Sequence, residues 1–145
     1  MLTTEQKGVL AEAAIVHAAA RLGVSVAKPL APERYDIVLD LGSSLLRVQC
    51  KSAVRTGDVV VIRCRSCRRG PNGMMHRPYT ADEVDAIAAH CAELDRCFLV
   101  PVSRFPRRAT IQLRLAPARN NQRRRVLWAN DFAFEATLKR QFAGP

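Results

Sequence analysis

The chain has 145 residues, 48% of them hydrophobic, and a formal net charge of +10. That size suits a single domain, residues 1–145, with one ordinary core, and the composition excludes a disordered tail. No apolar run approaches the roughly 18 residues of a membrane span, and Met1-Leu2-Thr3-Thr4-Glu5 lacks the basic-then-apolar order of an export signal, so a cytoplasmic protein without a membrane partner is expected.

Thr3 or Thr4 is placed to cap a helix beginning near Glu5. Val9, Leu10, Ala13, Val16, Ala20 and Leu22 recur at helical spacing, and Gly23 supplies the stop. A short strand, 24–27, is expected next. Lys28-Pro29-Leu30-Ala31-Pro32 reads as a loop, because two prolines suit neither a helix nor a sheet interior. Tyr35 to Leu41 then alternates, with Tyr35, Ile37, Leu39 and Leu41 on one face and Asp36, Val38 and Asp40 on the other. Gly42-Ser43-Ser44 is a turn signal. Leu45 to Lys51 alternates again, Leu46, Val48 and Cys50 against Leu45, Arg47, Gln49 and Lys51. Such a hairpin has one apolar and one polar face, as in a sheet covered by a helix from one side.

A third strand, 59–64, leads into a basic loop, 65–78. Thr80-Ala81-Asp82-Glu83 reads as a capping box and predicts a helix to about Leu94. Strands are expected at 97–102 and 110–115, a basic loop at 117–125, and a last helix capped by Asn130 or Asp131 and ending near Gln141. The order α-β-β-β-β-α-β-β-α indicates a mixed α/β domain without internal repeats.

The charge is unevenly spread. Between Arg96 and Asn130 there is no acidic residue but there are nine arginines, including Arg107, Arg108, Arg119, Arg123, Arg124 and Arg125. A second cluster is Arg63, Arg65, Arg68 and Arg69. Arginine far outnumbers lysine in these segments, which suits bidentate contacts to phosphate. The other reading is a solvated basic surface. The five cysteines do not make a disulfide framework for an intracellular chain. Cys64-Arg65-Ser66-Cys67 has zinc-ligand spacing and His76 follows, but a second ligand pair is missing, so a strand end entering a basic loop is the simpler reading.

A two-residue loop at Ser43-Ser44, or a four-residue loop from Gly42 to Leu45, sets Asp36 opposite Lys51, Val38 opposite Gln49 and Asp40 opposite Arg47. A slip by one residue would turn charges into the apolar layer. Asp36, Gln49 and Lys51 therefore share a face, and Glu12 reaches its rim if the first helix packs on the sheet. Phosphodiester hydrolysis needs such a set. Mg²⁺ takes hard oxygen ligands, commonly one or two carboxylates with water and phosphate. Asp36, Glu12 and either the Gln49 side-chain carbonyl or the Cys50 backbone carbonyl would supply the oxygens, and Lys51 would orient a nucleophile or neutralise charge on the phosphate. Taken separately, Asp36 and Lys51 also read as an ordinary cross-strand ion pair, and Glu12 as a solvated helix residue.

These residues occur in an order that resembles the PD-(D/E)XK nuclease superfamily. Within it, the chain is similar to small endonucleases related to a cyanobacterial group I intron homing endonuclease. The resemblance runs from Thr4 to Phe134. It is carried by Lys7-Gly8 with Glu12, by Tyr35-Asp36-Ile37-Val38 and by Val48-Gln49-Cys50-Lys51. Tyr79 with Asp82 and Asp85, Phe98-Leu99-Val100-Pro101-Val102, Arg114-Leu115, Asn120-Asn121-Gln122 and Trp128-Ala129 continue it.

The resemblance implies a restriction-endonuclease-like αβββαβ core, a mixed sheet flanked by helices. It also implies a Mg²⁺- or Mn²⁺-dependent DNA endonuclease with Glu12, Asp36, Gln49 and Lys51 as its catalytic residues. Gln49 stands where the superfamily usually has an acid, although the homing subgroup shares the glutamine. One negative charge is thereby lost from the metal site, which keeps a catalytically inactive DNA-binding module of the same fold as an alternative. A nuclease specific for junctions or flaps is another.

Arg119, Asn120, Asn121, Gln122 and Arg123 are residue types that read bases in the major groove, while Arg65, Arg68 and Arg69 suit phosphate contact. Two strands to cut require two active sites, so a homodimer or homotetramer on double-stranded DNA is expected.

Overall fold

The computed structural model describes residues 1–71, 73–105, 109–117 and 126–142, with backbone alone for 65–70, 73–78 and 141. The first helix, α1 (Thr4–Arg21), begins at a complete capping box. The Gln6 N–H donates to Thr3 Oγ1 at 3.1 Å, and the Thr3 N–H to Gln6 Oε1 at 2.9 Å. Two of the orphan N–H groups of the first turn are thereby satisfied. Gly23, at φ +76°, reverses the chain after the helix. Ala11, Ile15 and Ala19 form the buried stripe of α1.

Among the described residues ten strands follow: β1 (Ser25–Ala27), β2 (Ile37–Asp40), β3 (Leu45–Thr56), β4 (Val59–Arg63), β5 (Arg65–Gly70), β6 (Gly73–Pro78), β7 (Ala86–Cys91), β8 (Arg96–Pro101), β9 (Thr110–Arg114) and β10 (Leu127–Trp128). Eight of them form one mixed sheet, in the order β1-β2-β3-β4-β9-β10, with β7 pairing β3 and β8 pairing β7. The long β3 belongs to both halves of this sheet. It pairs antiparallel with β2 as far as Val48, parallel with β7 from Val48 to Ala53, and antiparallel with β4 from Val54.

Two cores result. α1 lays Ile15 and Ala19 on Ile37, Leu39, Leu46, Val48, Ala86, Ala88 and Leu99. On the other side, Ile87, Ala89, Cys91, Phe98 and Val100 meet Val60, Ile62, Ile111 and Leu113 from the second half of the sheet, with Tyr79, Phe105 and Phe132 closing the layer. β7 feeds alternate residues to each core.

That placement corrects the helix expected from Thr80 to Leu94. The capping signal makes only a turn, in which the Glu83 and Val84 N–H groups donate to the Thr80 carbonyl. All six residues of β7 are buried. A strand covered on both faces reads as a continuous apolar run, without the period-2 signature. Its alanines have high helix propensity, but burial between two layers overrides that.

The expected basic loop 65–78 is instead an antiparallel ribbon, β5 with β6, forming its own two-stranded sheet. At the C-terminal end, Ala129–Phe132 is a 3₁₀ turn and α2 (Phe134–Thr137) follows, continuing as a wider-wound turn over Leu138–Phe142. The helical segment thus starts after Ala133 rather than at a cap from Asn130 or Asp131. Among the described residues, no helix is long and apolar enough to cross a membrane.

Candidate active site

The hairpin register differs from expectation by two residues. Val38 lies opposite Arg47 and Asp40 opposite Leu45, because Leu41 closes onto Ser44 around Gly42-Ser43. Gly42, at φ +84°, takes the left-handed position of this tight turn. A shift of two preserves which face each residue occupies, so the polar face survives. The paired register ends at Ile37 opposite Val48, so the ladder does not set Asp36 opposite Lys51 as expected.

Asp36 sits where β2 has left β3 and β4 has not yet joined. Its N–H donates to the Val48 carbonyl at 2.9 Å. The Cys50 N–H, which no carbonyl of β2 reaches, donates to Asp36 Oδ2 at 2.8 Å. The side chain thus completes the ladder and is fixed by it. Burial raises the Asp36 carboxyl above its ordinary range and outweighs the Cys50 hydrogen bond. The nearby Glu12 carboxylate pushes the same way, while Lys51 and Lys28 oppose it. The electrostatics at Asp36 therefore bring Glu12, Lys51 and Lys28 into one neighbourhood.

Glu12 follows the buried Ala11 on α1 and stays at the rim of the helix–sheet contact. It pairs with Lys28, whose Nζ lies 2.5 Å from Glu12 Oε1. Lys28 is 64% exposed and Glu12 28%. The pair raises the Lys28 ammonium, its hydrogen bond to Glu12 being the main cause. Lys28 comes from the proline-flanked loop after β1, and sequence spacing gave no sign of it.

Lys51 and Gln49 are half-buried on β3, in register with Ala89 and Ile87 of β7. The Lys51 ammonium lies 5.1 Å from the Tyr79 ring centroid, and Arg34 lies 4.2 Å from the same ring. Tyr79 is thus a platform for two cations. Sequence reasoning noted Tyr79 only as part of the resemblance.

Asp85, also noted only there, accepts from Arg47 Nε at 3.1 Å, from Arg47 Nη2 at 3.2 Å and from the Arg47 N–H at 2.8 Å. Arg47 reaches on to the Ala81 and Asp82 carbonyls. This clamp ties β3 to the turn before β7.

Cys64 is buried in the second core and donates to the Ile62 carbonyl, its thiol pushed up to about 12 by burial. It therefore packs rather than offering a thiolate. Among the described residues, no three His, Cys, Asp or Glu side chains gather as a metal group. Of the expected oxygen donors, the Asp36 and Glu12 carboxylates act on one another, while Gln49 is placed on β3 in register with Ile87. Arg65, Arg68 and Arg69 lie in the ribbon rather than a loop. Arg107, Arg108, Arg119, Asn120, Asn121, Gln122, Arg123, Arg124 and Arg125 lie outside the described residues.

A family model described as PD-(D/E)XK endonuclease matches residues 2–135. Among solved structures, the chain is similar to the bacterial homing endonuclease I-Ssp6803I, with a TM-score of 0.78 and 27% sequence identity, covering 97% of this chain and 95% of that one. No curated protein matches. The expected mixed sheet flanked by helices and the homing-endonuclease-like resemblance are both borne out.

Proposed function

Because this chain belongs to the PD-(D/E)XK endonuclease family, a nuclease family, we propose that it is a divalent-metal-dependent endonuclease of double-stranded DNA with homing- or restriction-like specificity. Its catalytic residues in this reading are Glu12, Asp36, Gln49 and Lys51. The observation that carries the proposal is Asp36, fixed by the Cys50 N–H in the break between β2 and β4, with Glu12 and Lys51 acting on it.

The donor set fits Mg²⁺ or Mn²⁺. Asp36 carries a carboxylate disfavoured by burial and by Glu12, a cost that a divalent cation relieves. Oxygen donors are what such hard ions take. Asp36 would hold the ion through the oxygen not engaged by Cys50, with Glu12 and the Gln49 amide oxygen completing the protein's share. When bound, the ion supplies Lewis-acid polarisation of the phosphate and acidifies water.

The chain's own residues do the rest. Lys51, steadied over Tyr79, neutralises charge that builds on the phosphate. Glu12 orients water at the rim. Gln49 contributes oxygen without charge, so metal affinity should be lower than with an acid at that position. A cut through both strands needs two such sites, hence a homodimer or homotetramer.

The test is nicking of supercoiled and branched DNA in Mg²⁺ or Mn²⁺ by the native chain, Asp36→Ala and Lys51→Ala. Cutting should need metal and fall by roughly 100-fold or more in both variants. A preference for branched substrates would make the enzyme structure-directed. Salt-sensitive binding without cutting of any duplex would replace the proposal with a binding module.

A further inference from the structure

The β5–β6 ribbon is a feature that the catalytic site does not use. We propose that it is a recognition arm that lies in the major groove of the duplex beside the scissile phosphate. The inference rests on the DNA-nuclease reading and adds the groove, the element and the reach.

Three observations carry it. First, among the described residues the ribbon's strands pair only with each other, Arg65 opposite Pro78 through Gly70 opposite Gly73. An isolated two-stranded hairpin is marginal in water, and neither strand has the alternating apolar face that would seat it on a core. Second, its charge is of one sign. From Val59 to Ala81 there is no acid, while Arg63, Arg65, Arg68, Arg69 and Arg77 are all basic. The register places Arg68 and Arg77 with Ser66 on one face, and Arg65 and Arg69 with His76 on the other. A ribbon cationic on both faces suits a channel with phosphates on its walls.

Third, its root is the active site. The ribbon leaves the body at Cys64 and returns at Tyr79, both buried, and Tyr79 is the ring beneath the Lys51 ammonium.

The dimensions agree. The major groove admits a two-stranded β-ribbon. Six residues per strand at about 3.4 Å each reach roughly 20 Å, or about six base pairs of a duplex rising 3.4 Å per pair. The arm therefore contacts bases within about six pairs of the cut.

Binding of the full chain to a short labelled duplex is measured in Ca²⁺, with methyl green as the major-groove competitor and netropsin as the minor-groove one. Because Arg65 and Pro78 are paired, a single Asn-Gly turn replacing residues 66–77 closes the gap. A second variant keeps the ribbon and changes Arg65, Arg68, Arg69 and Arg77 to Ala. Methyl green should displace the native chain and netropsin should not.

Both variants should bind at least roughly tenfold more weakly and lose sensitivity to methyl green, while melting like the native chain. Affinity and methyl-green sensitivity unchanged in both variants would overturn the arm and leave the nuclease reading intact, since plasmid nicking by the native chain reports that separately. Displacement by netropsin instead would also overturn it. Binding to single-stranded or RNA probes but not to duplex would overturn both readings.

Discussion

At Asp36, stability and the proposed function pull apart. Its folded carboxyl titrates above its unfolded value, so the ionised form opposes folding, and stability is regained as pH falls through the raised folded pKa. Asp36→Asn keeps an oxygen for the Cys50 N–H and removes the buried charge. At neutral pH and without metal it should melt no lower than the native chain, yet fail to nick DNA. A clear drop in melting temperature would show that the charge itself holds the break between β2 and β4.

Lys28 yields a second expectation. Its ammonium stands against Glu12, where a divalent ion would need that carboxylate. Lys28→Ala should bind Mn²⁺ a few-fold more tightly in calorimetry, and equal or weaker binding would remove the competition from the account. Strand period put Asp36, Gln49 and Lys51 on one expected face, whereas Glu12 was read from the first helix. Lys28 was not legible, because an irregular loop has no period to place it.

Among the elements, the Arg47–Asp85 clamp joins β3 to β7 before their parallel ladder begins. Parallel neighbours need a long crossover, and here it is built from β4, the ribbon and a turn rather than a helix. Burial alone would raise Asp85, but the Arg47 side chain and N–H outweigh it and hold the carboxyl below its usual range. A depressed folded pKa contributes stability above the unfolded value, and that contribution is lost as pH falls through the folded pKa.

Asp85→Ala should lower stability at neutral pH by about 1–3 kcal/mol, discounted toward the lower end because both side chains are about a third exposed. In urea denaturation the gap between variant and native chain should narrow as pH falls through the acid range. A gap independent of pH would mean that the ion pair contributes packing alone.

Elements were less legible than faces. The two-residue error in hairpin register changed no face, so alternation could not detect it. A strand buried on both sides could not be told from an alanine-rich helix.

At the scale of the whole molecule, charge and site number make separate demands. A chain of net charge +10 that grips phosphates releases counterions, and log affinity falls with log salt at a slope near −0.9 per phosphate neutralised. In the proposed reading, one site per chain would cut one strand. A double-strand break then requires two chains arranged by a closed symmetry, each acting on its own strand.

The product order on supercoiled plasmid separates the cases. If two copies act in one complex, linear DNA should appear early, with little accumulation of nicked circles, and its rate should climb faster than linearly with protein concentration until assembly saturates. If single copies act independently, nicked circles should accumulate first and linear DNA should follow with a lag. That second pattern, together with a monomeric mass on DNA in sedimentation, would leave the catalytic reading intact but exclude the paired-site assembly.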